Sequence, residues 1–519
     1  MKKFISLLTK QGVTIGFCAL VLAISCTDKF DEINTNKNAL AQLGKGELPF
    51  LFSKVQSVAT NNGWNYQIAQ NLFHDQYCQY FANTTTYFPS DRYVMRFDWI
   101  RAAWNPIYSE AVPQMQTLLA SYDANSAENA ITQLMWVYTF HRLTDTWGPV
   151  PYFKAGVAGN GVPYDAQDKI YDDMFKRLAA AVTVLKGKTS EKPFGSFDHI
   201  YGGDVNKWIK FGNTLRMRLA VRISAVDPGR AKAEGEAAAA SGLMTTSPGD
   251  DALVQRSLKG DDFNGLTVMD WNEFRMSAAM ESVLVGYNDP RTSEYFVPDA
   301  NTGKYNGLRN GLTSAQMAEP LNSPDANSNK GPRWKKPEGM ETPSNVMCTA
   351  EAWFLKAEAN LLGWNVGGTA QSNYEEGIRQ SMAQWGITDK AKVDAYIVSN
   401  ATPIAPGDFL KSPALNNAPV AFNKSDPKMQ KLQISTQKWL ALYPEGVEGW
   451  ADVRRSGFKL YPVGTSDNAD LPDPTKGFIR RIPFITDEKN TNGAAVNAAI
   501  PLLGGSGDKI TTPLWWDKN

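Results

Sequence analysis

The chain has 519 residues and carries 53 basic and 53 acidic side chains, so its formal net charge is zero. Without a net field to attract polyanions, the protein is not expected to bind nucleic acid or an anionic lipid surface. Trp, Tyr and Phe make up 11% of the residues, which fits a large core together with additional exposed rings.

Residues 1–26 have the pattern of a bacterial lipoprotein signal. Three lysines among the first ten residues precede an apolar run over 13–24, and small Ser25 stands directly before Cys26. The run is shorter than the roughly 20 apolar residues that a membrane span needs. We therefore predict cleavage of residues 1–25 and attachment of acyl chains to Cys26, which would hold the mature protein on a membrane. A secreted protein with an incidental cysteine is the alternative.

The rest of the sequence shows no division into domains. No apolar run after residue 26 approaches the roughly 18 residues of a membrane-spanning helix, and no charged, Gly/Ser-rich or Pro-rich linker is present. We therefore predict one large domain over residues 26–519. Two further cysteines lie in it, Cys78 and Cys348, and they are either two buried thiols or one long-range disulfide.

Hydrophobic periodicity predicts an all-α-dominated fold with about four helix pairs. The pairs lie near residues 48–119, 127–185, 204–241 and 346–385. In the second pair, apolar side chains recur with i, i+3, i+4, i+7 spacing from Ile131 to Tyr138, which is the pattern of one helix face. Asp204 is a candidate N-cap at the start of the third pair.

The second helix of the last pair resembles a tetratricopeptide helix. Ala370, Tyr374 and Gly377 have the spacing that places small residues where two helices touch and an aromatic ring in the groove between pairs. Because helix pairs of this kind recur along the chain, we expect them to stack as a degenerate solenoid. A solenoid that only binds other proteins is one interpretation of such a scaffold.

Long segments rich in Asn, Gly, Pro and Asp lie near residues 83–98, 242–345 and 399–519. Loops of this length in a compact domain are either functional or disordered, and the Trp and Tyr content of these loops argues against disorder. We therefore predict a helical scaffold that presents long, aromatic-bearing loop insertions.

The sequence contains no assembled catalytic or cofactor motif. Its three histidines are too dispersed for a metalloprotease motif. Asp325, Asn327 and Asn329 resemble the start of a calcium loop, but Lys330 occupies the position of the required glycine. We therefore predict no cofactor, no metal site and no enzymatic activity. A helical glycosidase stays open as an alternative, because any two of the 53 acidic residues could converge in the fold.

Seven sequence blocks in collinear order cover essentially the whole mature chain. They are CTDKFDEINTNKNA (26–39), DTWGPVPYF (145–153), KWIKFGNTLRMRLAVRIS (207–224), AEAWFLKAEANLLGW (350–364), QKWLALYPEGVEGWADVRRSGF (437–458), RRIPF (480–484) and the terminal TPLWWDKN (512–519). In these blocks the protein resembles the SusD/RagB nutrient-binding outer-membrane lipoproteins, in the branch called SusD-like.

The resemblance implies a helical fold with four tetratricopeptide-like units, no catalysis, and display on the surface of Bacteroidetes-type bacteria. It also implies a partner, because members of the family sit as a lid on a SusC-like TonB-dependent transporter. There they capture oligosaccharides, or peptides in the RagB case, for import. Asp28, Asp31 and Glu32 resemble the signal that exports such lipoproteins to the outer leaflet.

In the family, ligand contacts come mainly from the loop after the first helix and from the insertions, which correspond here to 83–98 and about 261–334. A sugar site needs exposed Trp or Tyr rings for apolar C–H faces and polar side chains for hydroxyl groups. The candidate ligand-binding residues are Asn83, Tyr87, Phe88, Asp91 and Tyr93 in the first loop, and Trp271, Tyr305 and Trp334 in the second.

Packing under a long loop is the alternative role for each of these rings. Other tryptophans lie in the family's framework blocks or on apolar helix stripes, and we predict that they belong to the scaffold. They are Trp147, Trp208, Trp353, Trp439 and Trp450.

Overall fold

The computed structural model describes residues 44–61, 63–157 and 161–519. The predicted signal, Cys26 and the acidic residues at 28–32 lie outside these residues. The chain divides into a unit over residues 49–519 and an N-terminal unit over residues 1–48, of which only 44–48 are described. The prediction of one domain that begins at Cys26 therefore stays a prediction.

Helices dominate the described chain, as the sequence predicts. In chain order the α-helices are α1 (Leu48–Ala59), α2 (Phe97–Ile100), α3 (Val112–Ser121), α4 (Ala127–Trp147), α5 (Gln167–Lys186), α6 (Val205–Arg222), α7 (Pro228–Ser241), α8 (Ala278–Gly286), α9 (Thr292–Tyr295), α10 (Ser314–Met317), α11 (Thr349–Leu361), α12 (Ala370–Gln384), α13 (Lys390–Ile397), α14 (Pro427–Leu442), α15 (Gly446–Ser456), α16 (Thr486–Thr491) and α17 (Gly493–Ala499). Within the described ranges, no helix combines the length and the apolar character needed to span a bilayer.

Shorter elements connect these helices. Two segments, Gln67–Asp75 and Ile107–Ala111, are π-helical, and short 3-10 turns include Gly265–Trp271 and Pro332–Trp334. The strands are β1 (Phe81–Asn83), β2 (Ala252–Val254), β3 (Phe274–Met276) and β4 (Ser344–Met347). They form two antiparallel ladders, β1 with β3 and β2 with β4.

The longer helices stack in consecutive pairs. α4 packs on α5, α5 on α6 and α6 on α7, while α11 packs on α12 and α14 on α15. α11 also contacts α6 and α14, so it joins the earlier pairs to the last one. The outer bounds of two predicted pairs, 127–185 and 346–385, agree with the ends of α4 and α5 and of α11 and α12 to within three residues. The predicted fold class is confirmed.

Local sequence explains where these helices begin and why they approach closely. The Asp204 carboxylate accepts hydrogen bonds from the backbone N–H groups of Asn206 and Lys207, so the predicted N-cap starts α6. Gly377 on α12 faces Phe354 on α11, and a Cβ at Gly377 would lie 2.7 Å from the Phe354 ring. Glycine at this crossing therefore lets the two helices touch, as the tetratricopeptide-like spacing predicts.

The prediction of irregular chain is wrong at α8 within 242–345 and at α14, α15, α16 and α17 within 399–519. α15 and the second half of α14 are buried, and their charged residues pair inside the protein. The Lys438 ammonium lies 2.9 Å from the Asp452 carboxylate, and the Arg455 guanidinium lies 2.8 Å from the same carboxylate. Buried charged residues give both helices a polar composition, so they do not stand out in the sequence as apolar segments.

Four of the five tryptophans assigned to the scaffold are fully buried: Trp147, Trp208, Trp439 and Trp450. Trp353 is only half-buried on α11, and its indole N–H donates to the Thr245 carbonyl at 3.1 Å. The prediction that Trp353 is a core ring is therefore wrong. The spacing of apolar residues shows which side of α11 packs on the protein. It does not show whether neighbouring segments cover the whole Trp353 ring.

Cys78 and Cys348 are buried free thiols and do not form a disulfide. The Cys78 Sγ lies 3.5 Å from the carbonyl oxygen of Asp75, and the Cys348 Sγ lies 3.5 Å from that of Ala441. Burial raises the pKa of both thiols, so they stay protonated and act as small apolar side chains.

Candidate ligand-binding site

The β1–β3 ladder brings the two predicted ligand-binding loops side by side. Its antiparallel register pairs Asn83 with Phe274. Beyond the ladder, the Thr84 N–H donates to the Glu273 carbonyl at 3.0 Å, and the Thr84 hydroxyl donates to the Asn272 carbonyl at 2.5 Å. The loop after β1 therefore runs directly beside the segment before β3, although 188 residues separate Thr84 from Asn272 in the sequence.

Two exposed tryptophans, Trp64 and Trp271, form a stacked pair beside this ladder, which we call the aromatic platform. They are 49% and 46% exposed. Their ring centroids are 5.4 Å apart and their planes differ by 5°. The edge-on ring of Phe263 supports Trp64 at 4.8 Å. Exposed apolar surface of this kind marks binding sites, and an indole face matches the C–H face of a sugar.

A glycine fixes the approach of the chain to Trp64. Gly63 has a φ of +49°, and a Cβ at this position would lie 2.0 Å from the carbonyl oxygen of Asp261. The Gly63 N–H donates to the Phe263 carbonyl at 2.8 Å. Only glycine tolerates both the left-handed backbone and the close contact. The segment before Trp64 is therefore docked on residues 261–263, which positions the ring.

Polar side chains surround the platform. The Lys336 ammonium lies 5.9 Å from the centroid of the Trp271 ring. Asp270, next to Trp271, forms an ion pair with Lys330. A flat apolar face flanked by charged groups is the arrangement expected of a sugar site, because it provides both stacking and hydrogen bonds.

A second exposed ring, Tyr87, lies on the loop after β1 and is 67% exposed. It packs against Phe88 and Trp99, with centroid distances of 5.0 Å and 5.8 Å. The Arg96 guanidinium lies 3.8 Å from the centroid of the Trp99 ring and pairs with Asp98. Tyr87 is therefore the ring of this loop that a ligand can reach.

Beside the Gly265–Trp271 turn lies a cavity of about 280 Å³, which we call the inner cavity. Its walls include Leu253, Leu266, Arg333, Trp334, Asn345, Gln384, Trp385 and Glu445. Tyr66 and Gln70 also line it, and both donate hydrogen bonds to the Asp75 carboxylate behind them, at 2.6 Å and 3.1 Å. In the part of the chain that the structure describes, no cluster of three His, Cys, Asp or Glu could hold a metal ion.

Comparison with protein families identifies the kind of protein. The model of the SusD-like family, described as SusD and RagB outer membrane lipoproteins, matches residues 27–517. The protein belongs to the SusD-like family. It is thus a nutrient-binding lipoprotein of the outer membrane, anchored by lipid.

Solved structures agree with this assignment. The SusD-like chain is 32% identical to a chitin-binding SusD homologue from Flavobacterium johnsoniae, with a TM-score of 0.82, and the match covers 91% of this chain and 98% of that one. A SusD homologue from Bacteroides vulgatus is 31% identical, with a TM-score of 0.81 and coverage of 90% and 97%. A further chitin-binding protein is 27% identical, with a TM-score of 0.75 and coverage of 91% and 100%. Comparison with curated proteins found no match.

Of the predicted ligand residues in this SusD-like protein, only Tyr87 and Trp271 are largely exposed. The other four candidates of the first loop are buried, so the structure favours the alternative role, packing under the loop, for them. Phe88 stacks on Phe274 at 5.8 Å, and the Asp91 carboxylate accepts a hydrogen bond from the Gly311 N–H at 2.9 Å.

Asn83 and Tyr93 are also part of the packed loop. The Asn83 amide bonds the Thr85 backbone through both its oxygen, at 2.9 Å, and its nitrogen, at 2.7 Å. The Tyr93 ring packs edge-on against Tyr77 at 5.9 Å and is buried. The loop folds back on the scaffold, which a pattern of turn residues does not show.

The remaining two candidates are not part of the platform. Trp334 is buried between Trp385 and Tyr443, at centroid distances of 5.7 Å and 6.0 Å, and it forms a wall of the inner cavity. Tyr305 is half-buried and lines a separate shallow pocket with residues 284–293 of the chain segment after β3. The structure therefore does not bring all predicted ligand residues to one place.

Trp64 was not among the predicted ligand residues. Residues 48–119 were predicted to form a helix pair, but α1 ends at Ala59 and Trp64 lies in the turn before the first π-helix. An aromatic residue between asparagines and a glycine, as in NNGWN (61–65), is the signal that could have found it.

The buried Asp75 carboxyl group, behind the inner cavity, should make the stability of the protein depend on pH. Burial raises the pKa of Asp75 to about 7. Because the folded protein then binds this proton more tightly than the unfolded chain, the free energy of unfolding should fall as the pH rises from about 4 to about 7. Asp75→Asn cannot ionise, and between pH 5 and 8 its decline should be about 2–3 kcal/mol smaller than that of the wild type. Urea unfolding at the two pH values measures the difference.

The matched control is Asp168→Asn, which removes a carboxylate that is 39% exposed on α5. It should keep the pH dependence of the wild type. Equal pH dependence in the wild type and in Asp75→Asn would show that Asp75 is ionised in the folded protein across the whole range.

Proposed function

We propose that this SusD-like protein captures an oligosaccharide on the aromatic platform and delivers it, uncut, to a SusC-like TonB-dependent transporter. The observation that carries the proposal is the stacked pair Trp64–Trp271, exposed where two loops meet. Sugar rings bind such indole faces through their C–H groups. The similarity to a chitin-binding SusD homologue favours a glycan over a peptide, and makes chitin fragments the first ligands to test.

Two of the histidines support capture without catalysis. His74 and His141 are buried, and burial lowers the pKa of each, so both imidazoles are neutral. The His74 Nε2 lies 3.0 Å from the Thr146 hydroxyl, and the His141 Nε2 lies 3.2 Å from the Arg218 guanidinium. A ring enclosed in this way cannot reach a substrate, so we assign both to the scaffold.

Trp271→Ala should weaken the binding of a chitin oligosaccharide about 5- to 150-fold, which corresponds to the roughly 1–3 kcal/mol of a well-placed interface ring. Trp64→Ala should have a similar effect, because each ring holds the other in position. Neither variant should melt early, since both rings are about half exposed. Calorimetric titration and melting curves on the same samples measure the two effects.

Phe153→Ala is the matched control, because this ring is 52% exposed on the loop after α4 and packs on Tyr152. It should bind like the wild type. Unchanged affinity in both Trp variants would remove the platform from the proposal. Binding of peptides in place of glycans would favour a RagB-type function, and release of sugar products would favour a glycosidase.

Anchoring at Cys26 and docking on a transporter complete the proposal. A protein that closes a transporter barrel must form a large interface with it, one that buries more than about 1,000 Å² of surface in total. Gentle solubilisation of membranes that contain the palmitate-labelled protein tests both points. Recovery of the labelled protein without a TonB-dependent barrel, at several ionic strengths, would argue against the complex, and absence of label in the wild type would argue against the anchor.

A further inference from the structure

The inner cavity contains a positive charge that no neighbouring carboxylate pairs with. Arg333 lines the cavity, and its guanidinium lies 4.1 Å from the centroid of the Trp385 ring. Among the described residues, none forms an ion pair or a hydrogen bond with this guanidinium. Burial lowers the pKa of Arg333 and Glu294 raises it from a distance, but an arginine side chain stays protonated in proteins.

The other charges at the cavity balance one another. The Arg142 guanidinium donates to the Glu445 carboxylate at 2.7 Å, and both side chains are buried. Asp75, whose pKa burial raises to about 7, is close to half protonated at neutral pH. The charge of Arg333 therefore dominates, and the cavity favours an anionic group.

Three polar atoms of the cavity-lining residues lack partners. Asn345 Oδ1, Gln384 Oε1 and Trp385 Nε1 are buried without a hydrogen-bond partner in the described protein. Buried polar groups almost always have a partner, and each unpaired one costs about 1–3 kcal/mol. These three atoms are themselves closed off from a water-sized probe, and the Arg333 guanidinium has no protein partner, so the lining has hydrogen-bonding capacity that a polar occupant would use once the amides turn toward it.

The volume of the cavity sets the size of that occupant. Its volume of about 280 Å³ exceeds the roughly 150 Å³ that holds one benzene ring, and it is smaller than most pockets for drug-sized ligands. This volume holds about one sugar ring or one amino acid. The rings of Trp334 and Trp385 provide apolar walls for the carbon skeleton of such a molecule.

We propose that the inner cavity is a second binding site, separate from the aromatic platform, for a carboxylate-bearing molecule of the size of one sugar ring. The Arg333 guanidinium would hold the carboxylate through two parallel N–H···O bonds. The amides of Asn345 and Gln384 would bind hydroxyl or amino groups. A hexuronate and a free amino acid share this chemistry. The inference does not rest on the proposed function, because it concerns other residues.

Calorimetric titration of the full-length lipoprotein in detergent tests the site with glucuronate, with leucine and with glucose. We expect one of the two acids to bind, which identifies the source of the carboxylate, and we expect no binding of glucose, which lacks the carboxylate. Arg333→Gln should weaken this binding at least about tenfold, because a charge-assisted pair is lost. Arg379→Gln is the matched control, since it removes an arginine that is 38% exposed on α12, and it should leave binding unchanged.

Gln384→Met is a second variant that keeps the volume and the charge of the cavity. It should weaken binding about 3- to 10-fold, because it removes one hydrogen-bonding amide. If Arg333→Gln unfolds at a lower temperature than the wild type, Gln384→Met becomes the test of the site. Trp271→Ala should leave this binding unchanged. Loss of binding in Trp271→Ala would place the acid on the platform and overturn the inference. Absence of binding of both acids at millimolar concentration would also overturn it.

Discussion

Replacing Trp208 by alanine should lower the free energy of unfolding by about 3–5 kcal/mol, the range for removing a large ring from a core. Trp208 is fully buried on α6. Its ring packs against Tyr201 and Phe211, each at a centroid distance of 5.3 Å, and its indole N–H donates to Asp198 at 2.7 Å. The variant therefore loses packing and leaves a buried carboxylate oxygen without one donor. Urea unfolding measures the change.

Trp353→Ala is the control for this prediction. The Trp353 ring is half-buried at the rim of α11, beside the Lys356 ammonium at 4.3 Å. Its removal should cost about 1 kcal/mol, as for a typical substitution outside the core. Equal losses in the two variants would contradict the different burial of the two rings.

Glu351→Gln should also lower the free energy of unfolding by about 3–5 kcal/mol, because it leaves a buried charge without its main partner. The Glu351 carboxylate on α11 accepts two hydrogen bonds from Arg218 on α6, at 2.7 Å and 2.6 Å, and both side chains are buried. The other carboxylate near Arg218 is Glu448 at 3.7 Å, which also pairs with Arg222. Without Glu351, Arg218 keeps only this longer contact, because Glu448 lies 2.5 Å from Arg222, which also has Asp145 at 3.4 Å.

Two controls separate the charge effect from a loss of packing. Glu191→Gln breaks the more exposed Lys188–Glu191 pair and should leave stability unchanged within error. The double variant Arg218→Met with Glu351→Leu removes both charges and should lose less stability than Glu351→Gln alone. If the double variant is the less stable of the two, then the ion pair itself, and not the unpaired charge, holds α6 against α11.

Local sequence was sufficient to predict most of the scaffold. Apolar residues recur at helical spacing in α4, α5, α11 and α12, so these helices show in the sequence. Asp204 identified the start of α6 because an N-cap acts through backbone groups only two or three residues away. α14 and α15 escaped prediction because their buried charges find partners on other helices.

The candidate site shows the limit of sequence reasoning more clearly. Tyr87 and Trp271 were predicted because aromatic residues in polar loops indicate stacking surfaces, and both are exposed. Phe88 and Trp334 have the same local signature, but the structure buries them. Nothing within a few residues of a ring determines whether another part of the chain will cover it.

The sequence by itself determined the helical fold class, the family and the two segments that could carry ligand-binding rings, because each of these follows from periodicity or from contiguous blocks of residues. Only the tertiary structure decided that Trp64 stacks on Trp271 and that Arg333 and Gln384 line one cavity. The physical reason is that these groups meet where distant segments pack together, as where Gly63 packs on residues 261–263. Such contacts join residues far apart in the chain, and no local pattern records them.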